Sequence, residues 1–123
     1  MPWERGQYRY TKGLLMAIAR NYSMMSEGLE LRASQLITNP WSLAEYKADF
    51  DMALQSIGRG RWTGAISSHE FRDYRSFGRL QRLIIAEILG INDYELERLG
   101  FHKIRQLRSY GYYLMCRHLN EES

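Results

Sequence analysis

Four arginines in the middle of the chain recur at spacings of three, four and three residues: Arg72, Arg75, Arg79 and Arg82. On an α-helix this spacing places the four guanidinium groups along one ridge, because each residue turns the helix by about 100°. A guanidinium is permanently charged and carries a fork of N–H donors that fits phosphate oxygens. We call these four residues the arginine ridge, and we predict that they contact the phosphate backbone of a nucleic acid, DNA or RNA.

The segment around the arginine ridge is basic as a whole. Residues 58–82 contain six arginines and two acidic residues, so that the local charge is +4. Arg59 and Arg61 lie beside Trp62 in a glycine-dense loop, and we predict that they add further phosphate contacts. Trp62 itself either stacks on an unpaired base or anchors the loop by being buried. For the ridge, two alternatives stay open: a solvated helix face, and a surface that binds an acidic protein.

Residues 82–101 carry the pattern of two helices joined by a tight turn. Ala86 is a small residue at the point where the second helix would pack closely, and Gly90 supplies a turn residue that tolerates a left-handed conformation. The apolar residues at the packing offsets are Ile85, Leu89, Ile91, Leu96 and Leu99. The segment resembles the helix-turn-helix of bacterial and phage transcription regulators.

This resemblance implies that the first helix crosses the DNA backbone and that the second enters the major groove and reads base edges. The residues placed to contact bases would be Asn92, Tyr94, Arg98, His102 and Lys103. Asp93, Glu95 and Glu97 would also point outward, and carboxylates facing a polyanion oppose binding. Acidic residues in a first helical turn favour that turn. The alternative to DNA reading is therefore that the two helices only pack within the protein.

The residues that most often carry catalysis show no productive spacing. The three histidines, His69, His102 and His118, share no metal-ligand spacing, and Cys116 lies two residues from His118, on a different helix face. Ser67-Ser68-His69 has the composition of a helix cap, and the glycine-dense loop follows no predicted strand. We therefore expect no enzyme activity, no metal, no cofactor and no small-molecule substrate.

Composition and length favour one globular domain. The chain has 123 residues, 45% of them hydrophobic, and a single cysteine, which suits a reducing compartment. Charged residues occupy the first positions, where a signal peptide carries its apolar run. The apolar stretch Gly13–Ala19 is far too short to cross a membrane. We therefore expect a cytoplasmic protein without a membrane-spanning segment.

The elements that must position these residues are helices. The first, of about twenty residues, is predicted by an apolar stripe at three- and four-residue spacing. Its members are Tyr10, Leu14, Ile18, Tyr22, Met25 and Leu29. The second begins at Asn39-Pro40, an N-cap followed by proline, and ends at Gly58. Its stripe consists of Leu43, Tyr46, Phe50, Leu54 and Ile57.

A third helix carries the arginine ridge. It begins near Ser68, because Ser67 and Glu70 have capping-box spacing, and Gly90 ends it. Gly78 either bends this helix or splits it. The apolar side contains Phe71, Tyr74, Phe77, Ile84, Ile85 and Ile88.

Two further helices complete the chain. Asn92 and Glu95 repeat the capping spacing and open a short fourth helix, which Gly100 stops. The last helix is predicted by the stripe Ile104, Leu107, Gly111, Leu114 and His118. No segment indicates a strand, and no repeat or linker divides the chain. Residues 1–123 are thus predicted to form a single helical domain, an all-α compact bundle of about five helices that includes the hairpin.

Two functional hypotheses follow. The first is a small regulatory nucleic-acid-binding protein, with DNA as the preferred partner and the arginine ridge as the contact surface. The second is a non-catalytic protein-interaction module without nucleic acid, in which the arginine face meets the acidic Asp93, Glu95 and Glu97, either between copies or on a partner. A homodimer fits both, because the long first helix could pair with its own copy and clustered tyrosines supply contact area.

Overall fold

Five α-helices make up most of the described part of the computed structural model, which covers residues 10–22, 43–62, 64 and 74–121. They are α1 (Lys12–Arg20), α2 (Leu43–Ser56), α3 (Arg79–Leu89), α4 (Tyr94–Glu97) and α5 (Phe101–Glu121), with a single 3-10 turn at Tyr74–Ser76 before α3. These residues contain no strand. The predicted all-α fold is confirmed. None of the described helices is both long enough and apolar enough to cross a membrane.

Helix α5 is the centre of the bundle, because α1, α2 and α3 all pack against it. Its buried residues are Gly111, Tyr112, Met115, Cys116 and Leu119. The predicted stripe was wrong apart from Gly111, since Ile104, Leu107, Leu114 and His118 are only half-buried. The buried face is rotated from the predicted one by about a quarter turn of the helix. Both faces have helical periodicity, and only the positions of the neighbouring helices select between them.

The core is formed by apolar side chains from four helices. Fully buried examples are Leu15, Ile18, Phe50, Leu54, Ile84 and Met115. Gly111 lets α3 approach α5 closely, because a Cβ there would lie 3.0 Å from Ile84 Cδ1. The predicted stripe of the second helix is confirmed from Tyr46 to Ile57, although Asn39 and Pro40 lie outside the described residues.

The first helix ends earlier than its stripe predicts. α1 begins after Thr11, whose Oγ1 accepts from the Leu14 N–H at 3.1 Å, and it ends at Arg20. Asn21 caps the end: its Nδ2 donates to the Ala17 carbonyl at 2.8 Å, and its backbone N–H also donates to Ala17. The single long helix that the apolar stripe predicts is therefore interrupted at Asn21. Its predicted members Met25 and Leu29 lie outside the described residues.

Gly78 splits the predicted third helix. It has an extended backbone (φ −67°, ψ 164°), and the α-helical part starts at the next residue, Arg79. The prediction of one continuous ridge is therefore wrong, because Arg75 lies in the separate 3-10 turn. Arg72 lies outside the described residues, as do Ser67, Ser68, His69, Glu70 and Phe71.

The two predicted glycine stops downstream are confirmed. Gly90 ends α3 in a left-handed conformation (φ 66°), and the Ile91 N–H donates to the Ala86 carbonyl at 3.0 Å. Gly100 (φ 85°) separates α4 from α5. The cap of α4 is one residue later than predicted, at Asp93, whose Oδ1 accepts from the Leu96 N–H at 3.1 Å.

The loop between α2 and α3 is anchored by Trp62, which is buried. Its backbone N–H donates to Gln55 Oε1 at 2.7 Å, and its indole N–H donates to Asp51 Oδ1 at 2.8 Å. Of the two alternatives for this tryptophan, burial as an anchor is therefore confirmed. The carboxylate of Asp51 also accepts from the Tyr22 hydroxyl at 2.5 Å.

Gly60 in this loop tolerates no side chain, and Gly60→Ala is expected to lower the free energy of unfolding by about 3 kcal/mol. An added Cβ would lie 2.2 Å from Phe77 Cδ1 and 2.8 Å from Phe77 Cα, so the backbone itself would have to move. Gly13→Ala is the matched control, because its nearest contact is Thr11 Oγ1 at 3.9 Å. Denaturant unfolding measures both. Equal stability of the two variants would contradict the close packing of Gly60 against Phe77.

Candidate nucleic-acid interface

Three of the predicted phosphate-contacting arginines are exposed in the structure. Arg59 and Arg61 lie in the loop after α2, and Arg79 is the first residue of α3. No described carboxylate forms an ion pair with these three guanidinium groups. We call Arg59, Arg61 and Arg79 the loop–helix patch.

A buried glutamine joins the two segments that carry the loop–helix patch. Gln81 is fully buried, and its Nε2 donates to the carbonyl oxygens of Leu54 at 3.2 Å and Gly60 at 3.0 Å. Its Oε1 accepts from the backbone N–H groups of Gly60 at 3.1 Å and Gly78 at 3.3 Å. The loop bearing Arg59 and Arg61 is thereby fastened to the start of α3.

Sequence reasoning missed Gln81, although a signal was present. It lies four residues after Phe77 and three before Ile84, so it occupies the same face of the predicted helix as the core residues. A polar side chain in an apolar stripe has to find hydrogen-bond partners when it is buried. That rule could have singled Gln81 out, but it could not have named the loop that supplies the partners.

The start of α3 adds positive potential to the patch. The first backbone N–H groups of a helix have no intrahelical acceptor, and the helix dipole places partial positive charge there. α3 has eleven residues and no acidic residue in its first turn. Arg79 therefore stands at an electropositive helix end, where anions bind favourably.

Arg82 is placed differently from the three exposed arginines. Its side chain is 11% exposed, and its Nε and Nη2 donate to Asp93 Oδ2 at 3.2 and 2.8 Å. Nη2 also donates to Glu95 Oε2 at 3.3 Å, and the guanidinium lies over the ring of Tyr74, 5.3 Å from its centroid. Because its donors and charge are engaged inside the protein, we leave Arg82 out of the candidate interface.

Asp93 faces inward, contrary to its predicted outward position, and its side chain is 8% exposed. Burial by itself would raise the pKa of Asp93. The hydrogen bonds from Tyr74, from the Leu96 backbone and from Arg82 outweigh burial and leave the pKa below its ordinary value. Burial, and then the carboxylate of Asp93, raise the pKa of the Tyr74 hydroxyl. The network holds the start of α4 against α3.

The residues predicted to contact bases are all exposed: Asn92, Tyr94, Arg98, His102 and Lys103. The predicted reading helix, α4, is a single turn of four residues. Glu95 and Glu97 are exposed on this same turn. Base contact by these residues stays a prediction, and so does a DNA-reading role for the segment that resembles a helix-turn-helix.

The described part of the chain contains no group of three histidine, cysteine or acidic side chains that could hold a metal ion. Cys116 is buried against the core, and burial raises the pKa of its thiol, which disfavours the reactive thiolate. His102 and His118 lie on α5, sixteen positions apart by their numbering, while His69 lies outside the described residues.

Comparison of this chain with protein-family models, with curated proteins and with solved structures finds no match.

Proposed function

We propose that this protein binds nucleic acid, with duplex DNA as the preferred target, through phosphate contacts made by the loop–helix patch. The observation that carries the proposal is the buried amide of Gln81, which holds the loop of Arg59 and Arg61 against the helix start at Arg79. Three exposed arginines on two linked segments are a more specific indication of a phosphate-binding surface than a single charged helix face.

The chemistry of the patch fits a phosphate backbone. Each phosphate neutralised by an arginine releases condensed counterions, so the affinity falls as salt rises. Three contacts predict a slope of about −3 for the logarithm of the binding constant against the logarithm of the salt concentration. A regulatory role would rest on base contacts from the neighbouring turn, where Asn92, Tyr94 and Arg98 are the candidates.

A protein-interaction module is the second candidate function. Glu95 and Glu97 are both exposed on α4, although Glu95 also pairs with Arg82 at 3.3 Å, and Tyr94 beside them is 77% exposed. This acidic turn is complementary to the loop–helix patch of another copy. Self-association that weakens with salt, in the absence of nucleic acid, is the behaviour that this alternative requires.

The test of the proposed function is fluorescence anisotropy with a labelled DNA duplex across a salt series. The double variant Arg59→Gln/Arg79→Gln removes one cation from each segment of the patch. We expect affinity to fall about tenfold or more at low salt. The salt slope should become shallower by about two units, one for each lost contact. Circular dichroism verifies that the helices persist.

The matched control is Arg20→Gln/Arg117→Gln, which removes the same charge from exposed positions outside the patch. This variant should bind within about a factor of two of the unmodified protein at moderate salt, where distant charges are screened. Equal losses in the two double variants would show unspecific attraction, and no binding at low salt would reject the proposal. Sedimentation velocity of the same samples tests the self-association alternative.

A further inference from the structure

Helix α5 contains no acidic residue from Phe101 to Asn120. The same stretch carries four cations, Lys103, Arg105, Arg108 and Arg117. Arg108 lies 3.8 Å from Glu87 and Arg117 pairs with Glu121, while no described carboxylate pairs with Lys103 or Arg105. Solvated helix faces usually mix the two signs of charge, since opposite charges one turn apart stabilise an isolated helix. The loop–helix patch does not account for this second accumulation of positive charge, because it lies on other elements.

Aromatic rings are exposed along this same helix. Phe101, Tyr110 and Tyr113 are 71%, 52% and 48% exposed, and they account for three of the five large hydrophobic side chains that are exposed in the described part of the chain. Tyr110 and Tyr113 stack on one another, with ring centroids 6.2 Å apart and an interplanar angle of 20°. We call these two exposed, nearly parallel rings the Tyr110–Tyr113 platform; their exposed aromatic surface favours a partner with planar groups.

Two cations, Lys12 and Arg105, line the groove beside this platform. The groove runs between the start of α1 and the outer side of α5, and Lys12, His102 and Arg105 line it together with the two tyrosines. Lys12 Nζ donates to Ser109 Oγ at 3.0 Å, which positions the ammonium group at the edge of the groove. Among the residues that the structure describes, no carboxylate lines the groove. An occupant must therefore offer negative charge and flat rings together.

We propose that this groove, lined by Lys12 of α1 and by His102, Arg105, Tyr110 and Tyr113 of α5, binds single-stranded nucleic acid. Unpaired bases stack on the Tyr110–Tyr113 platform, and the phosphates between them contact Arg105 and Lys12. Single strands expose the faces of their bases, whereas a duplex hides them in its own stack. The proposal goes beyond the loop–helix patch and depends on different residues.

Charge argues for a nucleic acid over a second copy of this chain. Most described carboxylates are already engaged within the protein: Asp49 by Tyr10, Asp51 by Lys47, Glu87 by Tyr112, Asp93 and Glu95 by Arg82, and Glu121 by Arg117. Of the remaining described carboxylates, a second copy would bring Glu45 and Glu97, which are exposed and lie on different helices. A phosphate backbone brings one negative charge with every nucleotide.

The experiment measures anisotropy of labelled oligothymidine and oligouridine of about 15 nucleotides, the upper range of a single-strand site. A hairpin duplex serves as the third probe. Tyr110→Ser/Tyr113→Ser should weaken binding of both single strands by about tenfold or more, because stacking of each base is lost. Tyr110→Phe/Tyr113→Phe keeps the rings and should stay within about twofold, since stacking needs no hydroxyl. Duplex binding should change little in either variant.

The control substitution is Met52→Ser, which removes an exposed large hydrophobic side chain from α2 while leaving the platform intact. It should leave single-strand affinity unchanged. Conversely, Arg59→Gln/Arg79→Gln should affect the duplex more than the single strands, so that failure of this proposal and failure of the proposed function are distinguishable.

Three results would overturn the single-strand proposal. The first is absence of single-strand binding at low salt. The second is an equal loss for duplex and single strands in Tyr110→Ser/Tyr113→Ser. The third is a dimer, seen by sedimentation without nucleic acid, that this variant converts to a monomer; the face would then be an interface between copies.

Discussion

Gln81→Leu is expected to lower the free energy of unfolding by about 4 kcal/mol, the largest effect of any substitution proposed for this protein. Leucine has a similar size, so the core stays filled while all four hydrogen bonds of the amide disappear. The Gly60 N–H would lose its acceptor, and the carbonyl of the same residue would lose one of its donors. Each buried polar group left unsatisfied costs about 1–3 kcal/mol.

Denaturant unfolding followed by circular dichroism measures this loss. Gln106→Leu is the matched control, because Gln106 is exposed on α5 and should change stability by less than about 0.5 kcal/mol. A loss below about 1 kcal/mol for Gln81→Leu would contradict the hydrogen bonding described for its amide. The same variant should weaken duplex binding, because Gln81 holds the two segments of the loop–helix patch together.

Asp93→Ala is expected to cost about 3 kcal/mol at neutral pH, since it leaves the largely buried guanidinium of Arg82 without its closest anion. It also removes the N-cap of α4, where the Leu96 N–H donates to Asp93. Asp93→Asn retains a capping oxygen and should therefore be less destabilising. Glu97→Ala, an exposed carboxylate on the same turn, should fall within about 0.5 kcal/mol of the unmodified protein.

The pH dependence of stability supplies a second measurement for Asp93. Its pKa is lower in the folded protein than its ordinary value of 3.8, so the folded state holds this proton less tightly than the unfolded chain. The stabilisation is fully present above the ordinary value and is lost as pH falls through the lower, folded value. Unfolding midpoints between neutral pH and about pH 2 should fall less steeply for Asp93→Asn than for the unmodified protein. Identical slopes would show that Asp93 is not held as an anion by Arg82 and Tyr74.

The hydrogen-bond networks of Gln81 and Asp93 also explain why the predicted arginine ridge separates into parts with different surroundings. Arg79 and Arg82 lie three residues apart on one helix, yet Arg79 is exposed and Arg82 lies against Asp93. Asp93 follows Arg82 by eleven residues, beyond the turn at Gly90. Helical spacing predicts a shared face correctly, but it carries no information about which partner another element brings to that face.

Local features of the chain predicted much of the helical framework. Gly90 and Gly100 end helices as expected, because glycine adopts the left-handed backbone conformation at little cost. The apolar stripe of α2 includes the buried Phe50 and Leu54. The sequence does not decide whether Gly78 bends or splits the third helix, because a glycine inside a helical pattern marks a bend or a break equally well.

The amino-acid sequence by itself determined that the described part of this protein is all-α, where several of its helices end and which arginines share local spacing. These properties depend on propensity, periodicity and glycine, which act over a few residues. Only the tertiary structure decided which face of α5 is buried, that Gln81 binds the loop of Gly60, and that Asp93 engages Arg82. Those outcomes depend on contacts between residues far apart in the chain, where the choice among equally periodic faces is made by packing and by the need to satisfy every buried polar group.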